Sequence, residues 1–278
     1  VEVASSVLFW FAFALYVGAT VLYAYQFILK HSKVVWWARL LTGAGFLCHT
    51  ASIGVASVAA GRTVFTGKNQ LILASWALVL LYFVLEHLLK IRVYGTFLIP
   101  VGIVLMAISV LMRSSGGHTP EQELLISTAG IAFHVLLVVF ANAGFAFGAV
   151  SSALYLYQNN QLKQHKSNRV SRRLPSLATL QTVARRSVLL AFPVYTSGLM
   201  LGVIRATQTD VGGWWADPRV MMSGFVWGTY VIYLVTLYRN SVSSRTSAWI
   251  SVVGLVFVAV LAVLARTVGA GFHVFGVP

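Results

Sequence analysis

Eight successive runs of this chain are apolar over lengths near the roughly 20 residues that a helix needs to cross a hydrocarbon core of about 30 Å. They cover residues 6–29, 35–60, 71–89, 96–112, 127–157, 188–206, 223–238 and 249–275. Within lipid every backbone N–H and C=O must find a partner inside the protein, which restricts a spanning chain to helices or a closed β-barrel. A barrel strand alternates apolar and polar residues over about ten positions. These runs do not alternate. With 58% hydrophobic and 9% charged residues and a mean hydropathy of +0.82, the expected fold is all-α: a polytopic membrane helix bundle of about eight transmembrane helices. No internal repeat is visible, so residues 1–278 are expected to form a single transmembrane domain.

Lysine and arginine are retained on the cytoplasmic side of membrane proteins, and here they alternate between the two sets of loops. One set carries Lys30 and Lys33, Lys90 and Arg92, the stretch "NNQLKQHKSNRVSRRLPSLATLQTVARRS", and Arg239 and Arg245. The other set carries Glu2, Glu121, Glu123, Asp210 and Asp217. The basic loop, about residues 159–187, is therefore expected in the cytosol. Both termini and a tryptophan-rich loop of about residues 207–222 are expected on the outer, periplasmic side.

The net charge of +14 lies in these short loops, where it sets topology and attracts anionic headgroups of the lipid bilayer. Nucleic-acid binding is therefore not expected. The lone cysteine, Cys48, leaves no internal disulfide and no Cys-x-x-Cys-His haem-attachment site in the sequence. Val1 is followed directly by the first apolar run with no basic segment between them, and no cleavable signal is expected.

Ionisable side chains inside hydrocarbon are costly and mark candidate functional positions. Here they are His49, Glu86, His87, His134, Arg205 and His273. His134 falls about 9 Å into the fifth run from its outer end, at 1.5 Å per residue, and His273 lies at the outer end of the eighth. Two neutral imidazoles from different helices can clamp one haem iron. The macrocycle favours aromatic faces and its propionates favour cations; Trp214 and Trp215 meet the first need, Arg205 and Arg219 the second. Each element alone has an ordinary reading: interfacial tryptophans form aromatic belts, and a histidine at a helix end is commonly a hydrogen-bonded neighbour of headgroups. His49 is read as a buried, hydrogen-bonded histidine, His87 with Glu86 as a polar pair, and His31, His118 and His165 as loop residues. No side chain is assigned a catalytic role.

The stretch from Gly198 to Pro218, "GLMLGVIRATQTDVGGWWADP", resembles the tryptophan-rich "WWD" region of the cytochrome c assembly and haem-handling superfamily, which includes CcsA/ResC, CcmC, CcmF and HemX-like proteins. Gly198, Gly202, Ala206, Trp214, Asp217 and Pro218 match the form G-x-x-x-G-x-x-x-A … W-x-W-D-P without a gap. "FHVLLVVFANAGFAFGAVSSALYLYQ" resembles the helix that opens with the family's first outward haem-ligand histidine, and "GAGFHVFG" resembles the helix with the second. The resemblance thus implies that His134 and His273 are axial ligands of a non-covalent haem b. It also implies that Trp214 and Trp215 form an outward platform, with Asp217 and Pro218 shaping the turn.

The chain departs from the pattern at four places, one of them the stretch "TGKNQ", which has no glutamate where CcsA-type proteins often carry N-x-x-E before the third helix. Ala216 stands for the second tryptophan, Arg219 and Val220 stand for the lysine and glutamate, and Val235 stands where the family tends to have an inner-end histidine. A second membrane-embedded haem is not expected at Val235. The implied function is presentation of haem for cytochrome c maturation in a bacterial cytoplasmic (inner) membrane, at most as the haem-delivery subunit of a synthase. The implied partners are a CcsB/ResB-type membrane protein and an apocytochrome c. Two further readings remain: a HemX-like protein acting on tetrapyrrole supply, and a b-type electron-transfer or accessory subunit of a larger complex.

Overall fold

The computed structural model describes residues 2–29, 32–59, 70–91, 93–111, 129–165, 168, 170–208, 213–239 and 242–267. Among these residues there are eight α-helices and no strand: α1 Glu2–Leu29, α2 Ser32–Ala59, α3 Gln70–Leu89, α4 Tyr94–Leu111, α5 Ala129–Lys163, α6 Leu177–Gln208, α7 Pro218–Tyr238 and α8 Ser244–Thr267. Six of them are long and apolar enough to cross a membrane, while α4 and α8 contribute the shorter apolar segments Gly95–Leu111 and Ser244–Val260.

The basic connection is shorter than expected. Residues 159–163 extend α5, and α6 begins at Leu177, ahead of the apolar run at 188. Helix propensity does not stop at the membrane surface: Gln, Leu, Lys and Arg are good helix formers, and hydropathy marks only the part that is in lipid. The tryptophan-rich loop is likewise trimmed, because α6 continues to Gln208 and α7 starts at Pro218.

The described residues fall into two compact units. The first holds α1 to α4 together with residues 161–175. In it α1 and α2 lie antiparallel, with Ser5 and Ser52 each donating its hydroxyl to the other's carbonyl oxygen at 3.0 and 2.8 Å. Further along the pair, the ring of Tyr16 lies against Gly45, where an added Cβ would sit 2.9 Å from it. Tyr23 and Tyr82 join α1 to α3 through a 2.8 Å hydroxyl contact, and Ser75 of α3 donates to the Gly102 carbonyl of α4 at 2.9 Å. Apolar helices gain nothing from leaving lipid for each other. They associate through close packing and such bonds.

The second unit holds α5 up to Asn160 together with α6, α7 and α8. Here α5 and α6 pack antiparallel along a seam in which one side is repeatedly glycine: Gly144 meets Ala191, Gly148 meets Val188 and Gly198 meets Val138. The core of the unit is aromatic. Phe145 stacks on Tyr230 with centroids 3.6 Å apart, and Tyr230 in turn lies against Gly254 of α8. Trp227 of α7 donates to Thr196 of α6 at 3.1 Å.

Candidate functional site

His134 sits in the second turn of α5, and the helix opposite is cut away to receive it. A Cβ added at Gly202 would lie 2.7 Å from His134 Cε1 and 3.0 Å from its Nδ1, so only glycine allows this approach. One turn earlier on α6, the carbonyl oxygen of Gly198 lies 2.7 Å from Nδ1. A carbonyl oxygen only accepts, so in the neutral ring Nδ1 carries the proton and Nε2 carries the lone pair. That is the arrangement in which a second partner fixes the tautomer of a metal-ligating histidine.

Arg205 repeats the device in the other direction. It lies in the last turn of α6 with its guanidinium against Gly130 of α5, where an added Cβ would be 2.6 Å from Nε and 2.7 Å from Nη2. Its Nη1 also donates to Gln208 Oε1 at 3.3 Å. Gly130 and His134 are four residues apart on α5, and Gly202 and Arg205 are three apart on α6, so His134 and Arg205 occupy neighbouring steps at one end of the seam. A cation next to an imidazole at the end of an apolar helix pair suits a ligand that is itself flat, apolar and edged with carboxylates.

The tryptophans follow α6 in sequence. Gly213 adopts a left-handed φ of 74°, a conformation that costs glycine nothing, and it opens a short 3-10 turn, Trp214–Ala216. Ala216 N–H donates to the Gly213 carbonyl at 2.9 Å and Asp217 N–H donates to the Trp214 carbonyl at 3.2 Å. Trp214 is half-buried, whereas Trp215 is 69% exposed. Asp217 turns away from solvent, being only 3% exposed. It is the N-cap of α7, and its Oδ1 accepts from Arg219 N–H at 2.8 Å, with Pro218 in the first turn. This is how a chain can leave one helix, present an indole and re-enter the next within a few residues: cap and proline define where α7 starts. Arg219 is half-buried in the first turn of α7. His273 lies outside the described residues.

The structure thus seats His134 and Arg205 on glycines of the facing helix and gathers Trp214, Trp215, Asp217 and Arg219 at the junction that precedes α7. The glycine seats were not assigned a role from sequence. Their signal was the four-residue spacing of Gly198 and Gly202, a pattern that in membrane helices marks close approach. Two other histidines are accounted for in the first unit. His49 is fully buried, with Nδ1 3.4 Å from the Tyr16 hydroxyl and its ring edge-on to that tyrosine. Glu86 does not pair with His87: its Oε1 meets Arg39 Nε at 3.2 Å and His87 is exposed. Consecutive residues on a helix do not face each other, so the carboxylate found its cation on α2. No group of three or more metal-ligating side chains occurs among the described residues, and a haem asks for two.

Apolar α-helices packed into bundles, with ionisable side chains concentrated at helix ends and in one seam, define a multi-pass helical membrane protein. The chain belongs to the cytochrome c assembly protein family, whose model matches residues 68–273. Among individual proteins, it is 26% identical over 228 residues to Protein HemX of Brevibacillus brevis, covering 81% of this chain and 82% of that one. It is 24% identical to Protein HemX of Bacillus subtilis over 216 residues, 78% of this chain and 75% of that one. It is also 24% identical over 173 residues to the cytochrome c biogenesis protein CcsA of a Synechococcus strain, covering 54% of this chain and 55% of that one. No solved structure gives a significant match.

Proposed function

We propose that this chain, as one transmembrane domain with both ends outward, holds haem b at the outer face of a bacterial cytoplasmic membrane and presents it for cytochrome c maturation. The observation that carries the reading is the seating of His134: Gly202 makes room for the ring, and the Gly198 carbonyl, 2.7 Å from Nδ1, fixes the tautomer in which Nε2 would be able to hold a haem iron. His273 would supply the second nitrogen that holds the iron. Arg205 and Arg219 would neutralise the propionates, and Trp214 and Trp215 would offer apolar faces to the macrocycle. When bound, haem supplies vinyl groups to which the thiols of a partner's Cys-x-x-Cys-His segment add. This chain's own part is to bind, orient and shield from one side, and its single cysteine, Cys48, lies within α2. The partners are an apocytochrome c and a CcsB/ResB-type membrane protein. The relatives named CcsA support this reading.

The test is a reduced-minus-oxidised visible spectrum of the purified protein, comparing wild type with His134→Ala and His273→Ala. A bis-histidine b-type spectrum that collapses in both variants is the expected result. Haem that is indifferent to both substitutions, or absent from the wild type, overturns the reading.

A second reading, a HemX-like protein that binds haem but acts on tetrapyrrole supply, is favoured by one observation. The two matches to proteins named HemX span 81% and 78% of this chain, whereas those to proteins named CcsA span from 35% to 75%. The two readings separate on transfer: a maturation protein passes its haem to an apocytochrome peptide, and the alternative keeps it.

A further inference from the structure

Near the point where α7 ends at Tyr238 and α8 begins at Ser244, the helices α5, α6, α7 and α8 of the second unit leave a small cavity. It has room for about one water (about 20 Å³), and about 10–15 Å³ suffices to hold one. Any larger ligand is excluded by size. An apolar void of these dimensions stays dry, because a buried water needs roughly two to four polar partners. This one is partly polar: Ser152 of α5, Gln181 of α6, Tyr233 of α7, and Ser244 and Ser247 of α8 are among its lining residues.

Ser152 is the group that lacks something. A serine inside a helix can bond back to the carbonyl four residues earlier, and its neighbour Ser151 does so, donating to the Phe147 carbonyl at 2.9 Å. Ser152 does not: it is 1% exposed, and its Oγ has no hydrogen-bond partner among the described residues. A buried hydroxyl left unpaired is costly. The protons of two other lining hydroxyls can be assigned. Thr236 Oγ1 gives its proton to the Tyr233 carbonyl at 2.6 Å, so in its 2.9 Å contact with Ser247 Oγ it accepts and Ser247 donates. Ser247 Oγ therefore keeps a lone pair to offer. Ser244 Oγ accepts from Gln181 Nε2 at 2.7 Å and still has its own proton to give. One acceptor, one donor and one unpaired hydroxyl around a water-sized space form a set that a single water can join.

We propose that this cavity binds one ordered water, which accepts from Ser244 Oγ, donates to Ser247 Oγ and completes the hydrogen bonding of Ser152. The water ties α5 to α8 at a point about 27 Å along α5 from His134, at 1.5 Å per residue, and is independent of the haem reading. The test is radiolytic hydroxyl labelling of the full chain in detergent, in which X-rays split a bound water and the radical modifies the side chain beside it, out of reach of bulk solvent. Tyr233, 2% exposed, lines the cavity, whereas Tyr195, 1% exposed, is not among the lining residues. Tyr233 is expected to be modified several-fold faster than Tyr195, and Ser152→Val, which fills the space, to bring it down to the rate of Tyr195. If Ser152→Val does not fold, the melt of Ser152→Ala decides. With the water bound, losing the hydroxyl removes a hydrogen bond and lowers the midpoint; in a dry cavity it removes an unpaired group and raises it. Tyr233 labelled no faster than Tyr195 in the wild type, an unchanged rate in Ser152→Val, or a raised midpoint in Ser152→Ala overturns the proposal.

Discussion

The imidazole of His134 rests on the backbone of Gly202, so close that a single methyl group there would lie 2.7 Å from Cε1. The same ring is held by the carbonyl of Gly198, one turn away on the same helix. Two positions of α6 therefore determine where one side chain of α5 points, and they do so through backbone alone.

Gly202→Ala is expected to displace the ring while leaving the helices assembled. Overpacking of this kind costs about 1–3 kcal/mol, which lowers the thermal midpoint moderately. The haem spectrum, if His134 is the axial ligand, falls far more than the midpoint does. Gly198→Ala is the control: its Cβ meets Val138 Cγ2 at 3.0 Å, which strains the seam but keeps the carbonyl that His134 needs. Absorbance that falls equally in both variants would mean that general seam packing, not the seat, is what matters.

Trp215→Ala should separate binding from stability. The indole is 69% exposed, and surface substitutions stay within about 0.5 kcal/mol. An unchanged melt with weakened haem retention, measured by competition with an apo-haem acceptor, is the expected pattern. A large drop in the melt would show that Trp215 is a structural contact.

Asp217→Ala removes the cap of α7 and is expected to cost about 1 kcal/mol. Asn can still accept from Arg219 N–H, so Asp217→Asn should retain most of that. Hydrogen exchange of the Arg219 to Met221 amides, faster in the alanine variant and near normal in the asparagine variant, checks the assignment.

In the first unit, Arg39→Gln leaves the Glu86 carboxylate, 4% exposed, without the cation 3.2 Å away. Stranding a buried charge costs about 3 kcal/mol, more than removing both charges. The double variant Arg39→Gln/Glu86→Gln is therefore expected to melt above Arg39→Gln alone. The opposite order would make the pair dispensable.

The helices were legible because most of the apolar runs approach the thickness of a bilayer, a length that alternating barrel strands do not produce. Helix ends were not, since residues 159–163 and 177–187 are helical in a polar sequence where hydropathy gives no signal. Of the candidate site, the polar side chains stood out against their apolar surroundings. The seats beneath them did not, because a glycine in an apolar run looks the same whether its missing Cβ has open space beside it, like Gly228, or an imidazole, like Gly202. The hydroxyl contact of Tyr23 with Tyr82 was equally hidden: it links helices far apart in sequence, and only packing brings the two tyrosines together.

The turn that bears the tryptophans is closed by the amides of Ala216 and Asp217, is joined to α7 by the bond from Met221 N–H to the Asp217 carbonyl, and on its other side opens with the left-handed Gly213. Mechanically the two indoles are therefore an overhang of α7 and have no independent swing. A roll of that helix about its own axis would sweep Trp215 sideways like a crank arm, so an event that reaches α7 anywhere along its length has a lever on the two indoles.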